Sequence, residues 1–560
     1  MNNLFRNIFF SLIILNFIFS QDLILNPSNL FLYDIELQAL KEKKVKDEIF
    51  ISPFIEKNKS NISHINIIKN LELNNKIVIE PVLGLRLGNT YGFEMTPYHD
   101  GVFWYTPGVK FQSTIPVITN FKSVWIYSWM DFYKHAAIFN DLYDYINDNT
   151  STNFNLFKYS PYYSTSFFRK SLEPDNSFDF DQSNGGFSIL SNNFKVVFGK
   201  FKTNLGPFSR GNLSISNHAP AFNQVFLEYS LEKFKFIYII GKLNSNIPKY
   251  TDYCINDSNE SIGFSDNNLY ENAWNFELED CSPSSLPTNE LLSDISLNFN
   301  RFIAHHRIDI FPLKNLRIGL YEQVIFGGRD LSFDYLVPIV PFWSIQHELG
   351  DTDNIMMGFD LDYIFGNKIK ESNRIYASFL IDEWAPYDTF NDNNRNWFAY
   401  QIGFSRNSKV LSKDFLFKIE YTKIDPEVYN HRFIINEPKH YGYNIGFWSG
   451  RNSDDLMAKF IFILNSNRFI EFGYEHTRFS NDDYWQSLED QYNNNNVIFL
   501  SGEQDYYRKK TYFLFTTLLK YSIFFDIELS NFDVSLNYNN TNIVDNIYNL
   551  SLKFRYNISY

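Results

Sequence analysis

The feature that most constrains the fold is a strict two-residue alternation at the end of the chain. Apolar and polar side chains exchange at every position from Tyr548 to Tyr560. A period of two places successive side chains on opposite faces, so this segment is predicted to be a β-strand with one apolar and one polar face. The alternation recurs from about residue 77 onward, with apolar sets at Leu83/Leu85/Leu87, Val225/Leu227/Tyr229/Leu231, Phe415/Phe417/Ile419/Tyr421, Ile470/Phe472/Tyr474, Phe525/Ile527/Leu529 and Phe532/Val534/Leu536/Tyr538. No apolar stripe of helical period and length interrupts this part, which is therefore predicted to be all-β.

A soluble β-sandwich would show the same alternation, so strand length and aromatic content must decide between the two. Many strands approach the ~9–11 residues that cross a bilayer at a tilt, whereas ordinary strands run ~5–6 residues. Phe, Trp and Tyr make up 19% of the chain. They cluster near strand ends, where aromatic girdles are expected, as in Trp125/Tyr127/Trp129, Phe103/Trp104/Tyr105 and Phe447/Trp448. We therefore predict an all-β transmembrane fold, an antiparallel outer-membrane β-barrel of about 16–18 strands.

The first twenty residues predict export. Arg6 precedes an apolar run from Ile8 to Phe19, and the small residue Ser20 follows it, which is the order of a secretory signal peptide. No run of eighteen apolar residues appears after residue 20. Lys and Arg total 50 against 64 Asp and Glu, so the net charge of −14 argues against a nucleic-acid partner. We predict a signal peptide at 1–20, an N-terminal helical segment at 21–75 and a barrel at 76–560.

The segment 21–75 differs from the rest because its apolar and charged residues are mixed without alternation. Leu30, Leu32, Ile35, Leu37, Leu40 and Val45 lie among many Asp, Glu and Lys residues, which predicts one amphipathic helix. Its place before the barrel indicates a small periplasmic subdomain or a plug. A loosely ordered leader is the alternative.

Two cysteines, Cys254 and Cys281, are the only ones in the chain. Export would place them in an oxidising compartment, which predicts a disulfide bond. The segment between them carries seven Asp and Glu residues and no Lys or Arg. A solvated extracellular loop is one interpretation and a calcium site is another, although the spacing matches no defined calcium loop.

Two blocks resemble the Wzi capsule-assembly family of outer-membrane barrels. The first runs from Phe198 to Pro207 and continues from Gly211 to Pro220, and the second runs from His306 to Glu383. Leu205 departs from the family pattern, which often has an aromatic residue there. An N-terminal Tyr33-Asp34-Ile35-Glu36-Leu37 is also similar to the family's helical leader. The resemblance implies a barrel of about eighteen strands that acts as a surface lectin, binding capsular or other surface polysaccharide and helping to attach or assemble capsule.

The resemblance also supplies candidate residues. The structural positions of the motif are Gly199, Gly206, Pro207, Asn217, Pro220 and Pro338. The candidates for lining the lumen or binding polysaccharide are Arg307, Glu322, Arg329, Asp334, Tyr335, Asp353, Asn354, Asp360, Asp382, Glu383 and Trp384. A salt-bridged network inside the lumen is the structural alternative for the charged members, together with Arg374. Trp384, Trp397, Trp448 and Trp485 are sugar platforms in one interpretation and belt residues in the other.

Catalysis is not expected. The sequence has no Gly-x-Ser-x-Gly or His-Glu-x-x-His motif, and Asp382 and Glu383, as neighbours on a strand, point to opposite faces. No cofactor or metal is predicted. A passive pore for small solutes is the main alternative function, because a barrel of this size can enclose water. The other predicted partners are the lipid bilayer of the outer membrane and the barrel-assembly machinery, since the terminal Tyr560 resembles the C-terminal signature of bacterial outer-membrane barrels.

Overall fold

The computed structural model describes most of the barrel and one N-terminal helix. The described residues are 29–45, 51–52, 76–91, 98–117, 124–139, 177–191, 193–244, 300–368, 371–383, 397–431, 434–440, 443–481, 499–500, 504–519, 523–538 and 541–556. The predicted signal peptide, Cys254, Cys281, Trp384 and Trp485 lie outside these ranges, so the predictions about them stay predictions.

Eighteen strands form one closed antiparallel barrel, which confirms the predicted fold class. In chain order they are β1 Lys76–Tyr91, β2 Tyr98–Val117, β3 Val124–Phe139, β4 Ser177–Leu190, β5 Phe194–Phe201, β6 Phe222–Ser230, β7 Phe234–Leu243, β8 Arg301–Leu313, β9 Leu316–Gly327, β10 Asn354–Lys368, β11 Glu371–Glu383, β12 Trp397–Val410, β13 Lys413–Ile424, β14 Ser453–Asn465, β15 Arg468–Asn481, β16 Gln504–Leu518, β17 Ile523–Tyr538 and β18 Thr541–Tyr556. Each strand pairs with its neighbours in sequence, and β1 closes the barrel against β18 by pairing Leu83–Gly88 with Ser551–Tyr556.

The remaining elements are short. Helix α1 spans Asn29–Glu42 and helix α2 spans Phe342–Glu348, with 3-10 turns at Asp334–Leu336 and Ile434–Asn436. Two small antiparallel pairs lie apart from the wall, Ile51–Ser52 with Asn204–Leu205 and Lys439–His440 with Tyr443–Asn444. Among the described residues, no helix is both long and apolar enough to cross a membrane.

The alternation read from the sequence sets the two faces of the wall. On β18, Tyr548 is 67% exposed and Leu550 48% exposed, whereas their neighbours Asn549 and Ser551 are buried. The apolar set faces outward, where the bilayer lies, and the polar set faces the lumen. The same division holds on β15, where Phe472 is exposed outside while Glu471 is buried inside.

Part of the aromatic girdle prediction was wrong. Phe103 is exposed on the outer face, but Trp104, Tyr127 and Trp129 are buried and share their parity with lumen-facing polar residues. The reason is geometric: successive residues of a strand face opposite sides, so a run of aromatics cannot lie wholly on the outside. Phe447 is also buried, in the apolar core inside the barrel.

The two ends of the barrel differ in the length of their connections. The start of β1, the end of β18 and short turns such as those after β8, β12 and β14 lie at one end of the barrel, which we name the periplasmic end. The longer described connections 202–221, 328–353 and 425–452 lie at the other, extracellular end. Helix α1 enters from the periplasmic end, because Val45 N–H donates to Lys314 O at 2.9 Å and Lys41 pairs with Asp414 at 2.9 Å.

Candidate functional site

The barrel wall separates the predicted charged residues into two groups. On β8 and β9, Arg307 is buried and faces inward, whereas Ile308 and Leu320 are exposed outside. Glu322 lies two residues after Leu320 on the same strand, so its side chain points to the same, outward face. The lumen alternative of the prediction thus does not hold for Glu322, which lies on the opposite side of the wall from Arg307.

Inside the lumen, four charged side chains form a compact cluster on β8, β9 and β10. The Arg307 Nη2 atom lies 2.9 Å from Asp309 Oδ1 and 2.6 Å from Asp360 Oδ2. Arg317 Nη1 lies 3.1 Å from Asp309 Oδ1. All four side chains are buried, so each guanidinium offsets the cost of holding a carboxylate away from water.

Helix α1 docks into the lumen through Glu36. Its Oε1 accepts hydrogen bonds from Arg374 Nη1 at 3.0 Å and from the Ser405 hydroxyl at 2.8 Å, and its Oε2 lies 2.6 Å from Lys418 Nζ. Arg374 is held in turn by Asp362 at 2.6 Å. Burial opposes ionisation of Glu36, but the nearby Lys418 and Arg374 charges outweigh it and hold the pKa of that carboxyl below its ordinary value.

A second contact fixes the same helix to the adjacent strands β14 to β16 of the wall. The Tyr33 hydroxyl donates to Glu471 Oε2 at 2.5 Å, and the Tyr512 hydroxyl donates to Glu471 Oε1 at 2.5 Å. Lys459 Nζ lies 3.2 Å from the same carboxylate. Burial, and then the Glu471 charge, raise the pKa of Tyr33 well above its usual range, so its hydroxyl keeps the donated proton.

From the extracellular end, the connection 202–221 also folds into the lumen. Glu420 accepts hydrogen bonds from the backbone N–H groups of Ser209 and Arg210, both at 3.0 Å, and from the Tyr376 hydroxyl at 2.8 Å. Gly206 makes the turn possible: its φ is +139°, and a Cβ there would lie 2.2 Å from Asn212 Oδ1. The Gly-Pro element of the motif therefore lies inside the barrel.

Arg210 anchors the tip of this connection. Its Nε lies 3.3 Å from Asp455 Oδ1 and its Nη2 lies 3.2 Å from Glu475 Oε2. Its guanidinium also lies 4.6 Å from the ring centroid of Trp448, in cation–π contact. Polar contacts thus link Glu36 on the periplasmic helix through Lys418 to Glu420, and Glu420 accepts the backbone N–H of Arg210 on an extracellular connection.

The connection 425–452 packs beside it. Tyr429 N–H donates to Asp382 Oδ2 at 2.5 Å, and the Tyr429 hydroxyl donates to Leu213 O at 2.6 Å. Asn354 Nδ2 donates to Asn436 O at 3.0 Å. Asp382 and Asn354, two of the predicted candidates, therefore hold this connection in place.

The predicted residues on the outer side of the wall lie in, or contact, the connection 328–353, which we name the clasp. Asp353 Oδ2 accepts from Arg329 Nη2 at 2.5 Å and from the Tyr335 hydroxyl at 2.7 Å. Glu322 Oε2 accepts from Phe342 N–H at 2.9 Å and lies 2.8 Å from His306 Nε2. The clasp thereby folds over the outer wall of the barrel, so Arg329, Asp334, Tyr335 and Asp353, like Glu322, do not line the lumen, and the alternative that they bind polysaccharide stays a prediction.

The remaining predicted positions are spread over the structure. Asp334 is exposed and accepts a hydrogen bond from Ser332 at 2.8 Å, and Pro338 O lies 3.1 Å from His306 Nδ1. Gly199 on β5 pairs with Gly186, and Asn217 O accepts from Lys202 Nζ at 3.1 Å. The others, with their positions, are Pro207 in the lumen loop, Pro220 buried just before β6, and Glu383 at the end of β11.

Sequence reasoning missed several residues that carry the network. Arg210, Glu420 and Glu471 were not among the candidates, although Glu420 and Glu471 occupy the inward positions of clearly alternating strands. The signal that predicts them is a charged residue at a position of an alternating strand that faces the lumen. Within the described ranges, no group of three or more His, Cys, Asp or Glu side chains is placed to hold a metal ion.

Comparison with known proteins finds similarity at the level of structure. The chain is similar to Wzi, an outer membrane protein involved in group 1 capsule assembly in Escherichia coli and described as a carbohydrate-binding β-barrel. The match covers 96% of this chain and 100% of that chain, with 10% identity and a TM-score of 0.52. The chain is a bacterial outer-membrane β-barrel. The closed barrel with its apolar outer face confirms the predicted location. At 10% identity the likeness to Wzi establishes the fold alone.

Other solved barrels match less closely. OccAB4 of Acinetobacter baumannii has a TM-score of 0.45 at 8% identity, covering 87% of this chain and 99% of that chain. OccK8 of Pseudomonas aeruginosa has a TM-score of 0.41 at 8% identity, covering 85% of this chain and 97% of that chain. No protein-family model and no curated protein matches the sequence.

Proposed function

We propose that this protein is a distant relative of Wzi of capsule-assembly type, which binds capsular or other surface polysaccharide and helps to attach or assemble capsule. In this proposal the barrel is a rigid scaffold that holds an extracellular binding surface. It is not an enzyme, and its partners are polysaccharide, the outer-membrane bilayer and the machinery that inserts barrels.

The observation that carries the proposal is the filling of the lumen. Helix α1 from one end and the connection 202–221 from the other are linked to the wall through Glu36, Lys418, Glu420 and Arg210. Buried ion pairs of this kind are costly to break, by about 3–5 kcal/mol when one partner is lost. A lumen held in this way favours a fixed binding protein over a passive channel.

The overall likeness to Wzi supports the same proposal. The match extends over nearly the whole of both chains, and that protein is described as carbohydrate-binding. On this chain, Trp448 and Trp397 are half-buried at the extracellular end, so part of each ring is available to pack on sugar C–H groups.

A pair of measurements on the purified protein tests the proposal. It should be electrically silent in a planar bilayer, and it should be retained on a column carrying the polysaccharide of its own cell surface. Trp448→Ala should weaken that retention, whereas Trp343→Ala, which removes an exposed Trp from the clasp on the outer wall, should not. A steady open channel together with no retention would instead support a passive pore.

Deletion of the gene tests the role in the cell. Capsule staining should show less cell-associated polysaccharide, while uptake of small solutes stays unchanged. Unchanged capsule with reduced uptake would contradict the capsule-assembly proposal and favour the channel.

A further inference from the structure

The clasp has an apolar outer surface that its packing on the wall leaves uncovered. Tyr335, Phe342 and Ile345 are buried against outward-facing wall residues such as Val324 and Phe326. On the other side, Phe333 is 82% exposed, Ile339 79% and Trp343 54%, and Leu331, Val337 and Leu349 are exposed as well. So many large exposed apolar side chains on one short segment mark an interaction surface.

The distribution of charge along the clasp separates an apolar middle from polar ends. Residues 335–346 contain no Asp, Glu, Lys or Arg. On one side charged side chains begin at Asp334, with Asp330 and Arg329 before it, and on the other they begin at Glu348, with Asp351 after it. These ends adjoin β9 and β10 at the extracellular rim, so the uncharged middle is the part that extends down the wall.

The depth of the clasp can be worked out from its contact with Glu322. Phe342 N–H bonds to Glu322 Oε2, five residues before the end of β9 at Gly327. Five residues span about 17 Å of strand, or about 13 Å of depth at a tilt of about 40°. The whole strand of 12 residues spans about 30 Å of depth by the same arithmetic. The clasp thus reaches to the level of the outer half of the apolar band.

The wall under the clasp explains why a cover is needed there. Glu322 and His306 face outward as a hydrogen-bonded pair, whereas the outward positions in register with them across the next strands are Met357, Ile381 and Phe398. A carboxylate and an imidazole exposed to acyl chains would be costly. The clasp covers this pair with the Phe342 ring, which stacks on His306 with 4.2 Å between the ring centroids.

We propose that the clasp is a membrane-contact element whose exposed apolar side chains insert into the outer leaflet of the bilayer. Its occupant is lipid, because the clasp surface is continuous with the lipid-facing wall at Leu320, which is 50% exposed two residues below Glu322. Interfacial segments of this kind bury their apolar face ~5–10 Å into the leaflet, within the depth estimated above. The inference is independent of polysaccharide binding.

Depth-dependent quenching on the full-length protein in phosphatidylcholine vesicles tests the proposal. A fluorescent thiol label is placed by Ile339→Cys in a Cys254→Ser/Cys281→Ser background, with Leu320→Cys as the lipid-facing control and Asp351→Cys as the aqueous control on the same clasp. Heat-dependent gel mobility verifies that each labelled barrel is folded. A phospholipid with a nitroxide in its acyl chain should quench the label at 339 about as strongly as that at 320, and at least about twofold more than that at 351.

Two results would overturn the proposal. If iodide in the buffer quenches the label at 339 as it quenches that at 351, the clasp faces water. If neither quencher reaches the label at 339, protein and not lipid covers the clasp, either the same chain or a second copy of it.

Discussion

Glu36→Gln should loosen helix α1 without unfolding the barrel. The substitution keeps the shape of the side chain but removes the negative charge that lies 3.0 Å from Arg374 and 2.6 Å from Lys418. Each of these two buried cations then loses one anionic partner. Loss of one partner from a buried pair costs about 3–5 kcal/mol, and because Gln retains an acceptor we take the lower value, about 3 kcal/mol.

Hydrogen–deuterium exchange of residues 29–42 measures this cost directly. About 3 kcal/mol corresponds to roughly 100-fold less protection of the helix amides from exchange, while the barrel amides keep their protection. Lys41→Gln is the matched control, because it removes a charge from the same helix whose partner Asp414 is at the exposed rim. Such exposed pairs contribute at most about 1 kcal/mol, so protection should fall no more than about fivefold.

The difference in amide protection between wild type and Glu36→Gln should depend on pH, which gives an internal check. The pKa of Glu36 is lowered in the docked state, so its contribution is fully present above the undocked value of about 4.3 and is lost as pH falls through the docked value. The difference in protection should therefore stay constant from pH 7 to about 5 and close only below about 4.3. If Glu36→Gln exchanges like Lys41→Gln at pH 7, the buried network does not hold the helix and the reasoning fails.

Three further predictions concern the loops and the wall. Arg210→Met removes the cation paired with buried Asp455 and leaves Glu475 with Arg508, so it should make the connection 202–221 open to limited proteolysis; unchanged cleavage would contradict its anchoring role. Leu550→Arg on the outer face should destabilise the barrel by about 2–4 kcal/mol in vesicle unfolding titrations, whereas Leu411→Arg, at a periplasmic turn position 93% exposed, should have no measurable effect. Thiol alkylation of the unfolded, unreduced protein should find neither Cys254 nor Cys281 free; two reactive thiols would exclude the bridge.

The alternation of side chains made the wall predictable because one physical rule controls it. Each outward position of β18 and β15 meets lipid and each inward position meets polar groups, so a period of two reveals both the strand and its faces. The rule gives less information where both faces are apolar, as at Tyr127 and Trp129. These two belong to the lumen, but their residue type alone indicates a membrane interface.

The interior and the clasp could not be predicted in the same way, because they depend on contacts between distant segments. Glu36 was recognisable as part of a helical leader, yet nothing near it in sequence indicates that its partners are Arg374 and Lys418. The parity that separates Arg307 from Glu322 is readable only once the start of each strand is known. The path of the clasp over the outer wall is set by Tyr335 and Phe342 packing on strands that precede it, which no local pattern encodes.

The position of helix α1 also has a consequence for the order in which the molecule is assembled. Tyr33 and its acceptor Glu471 are 438 residues apart, and Glu36 and Arg374 are 338 residues apart. A chain made and exported from its N-terminus therefore presents this helix long before β11, β13 and β15 exist to receive it. The helix that is made first is among the last parts to reach its final contacts, and the charged side chains of the wall stay hydrated until it arrives.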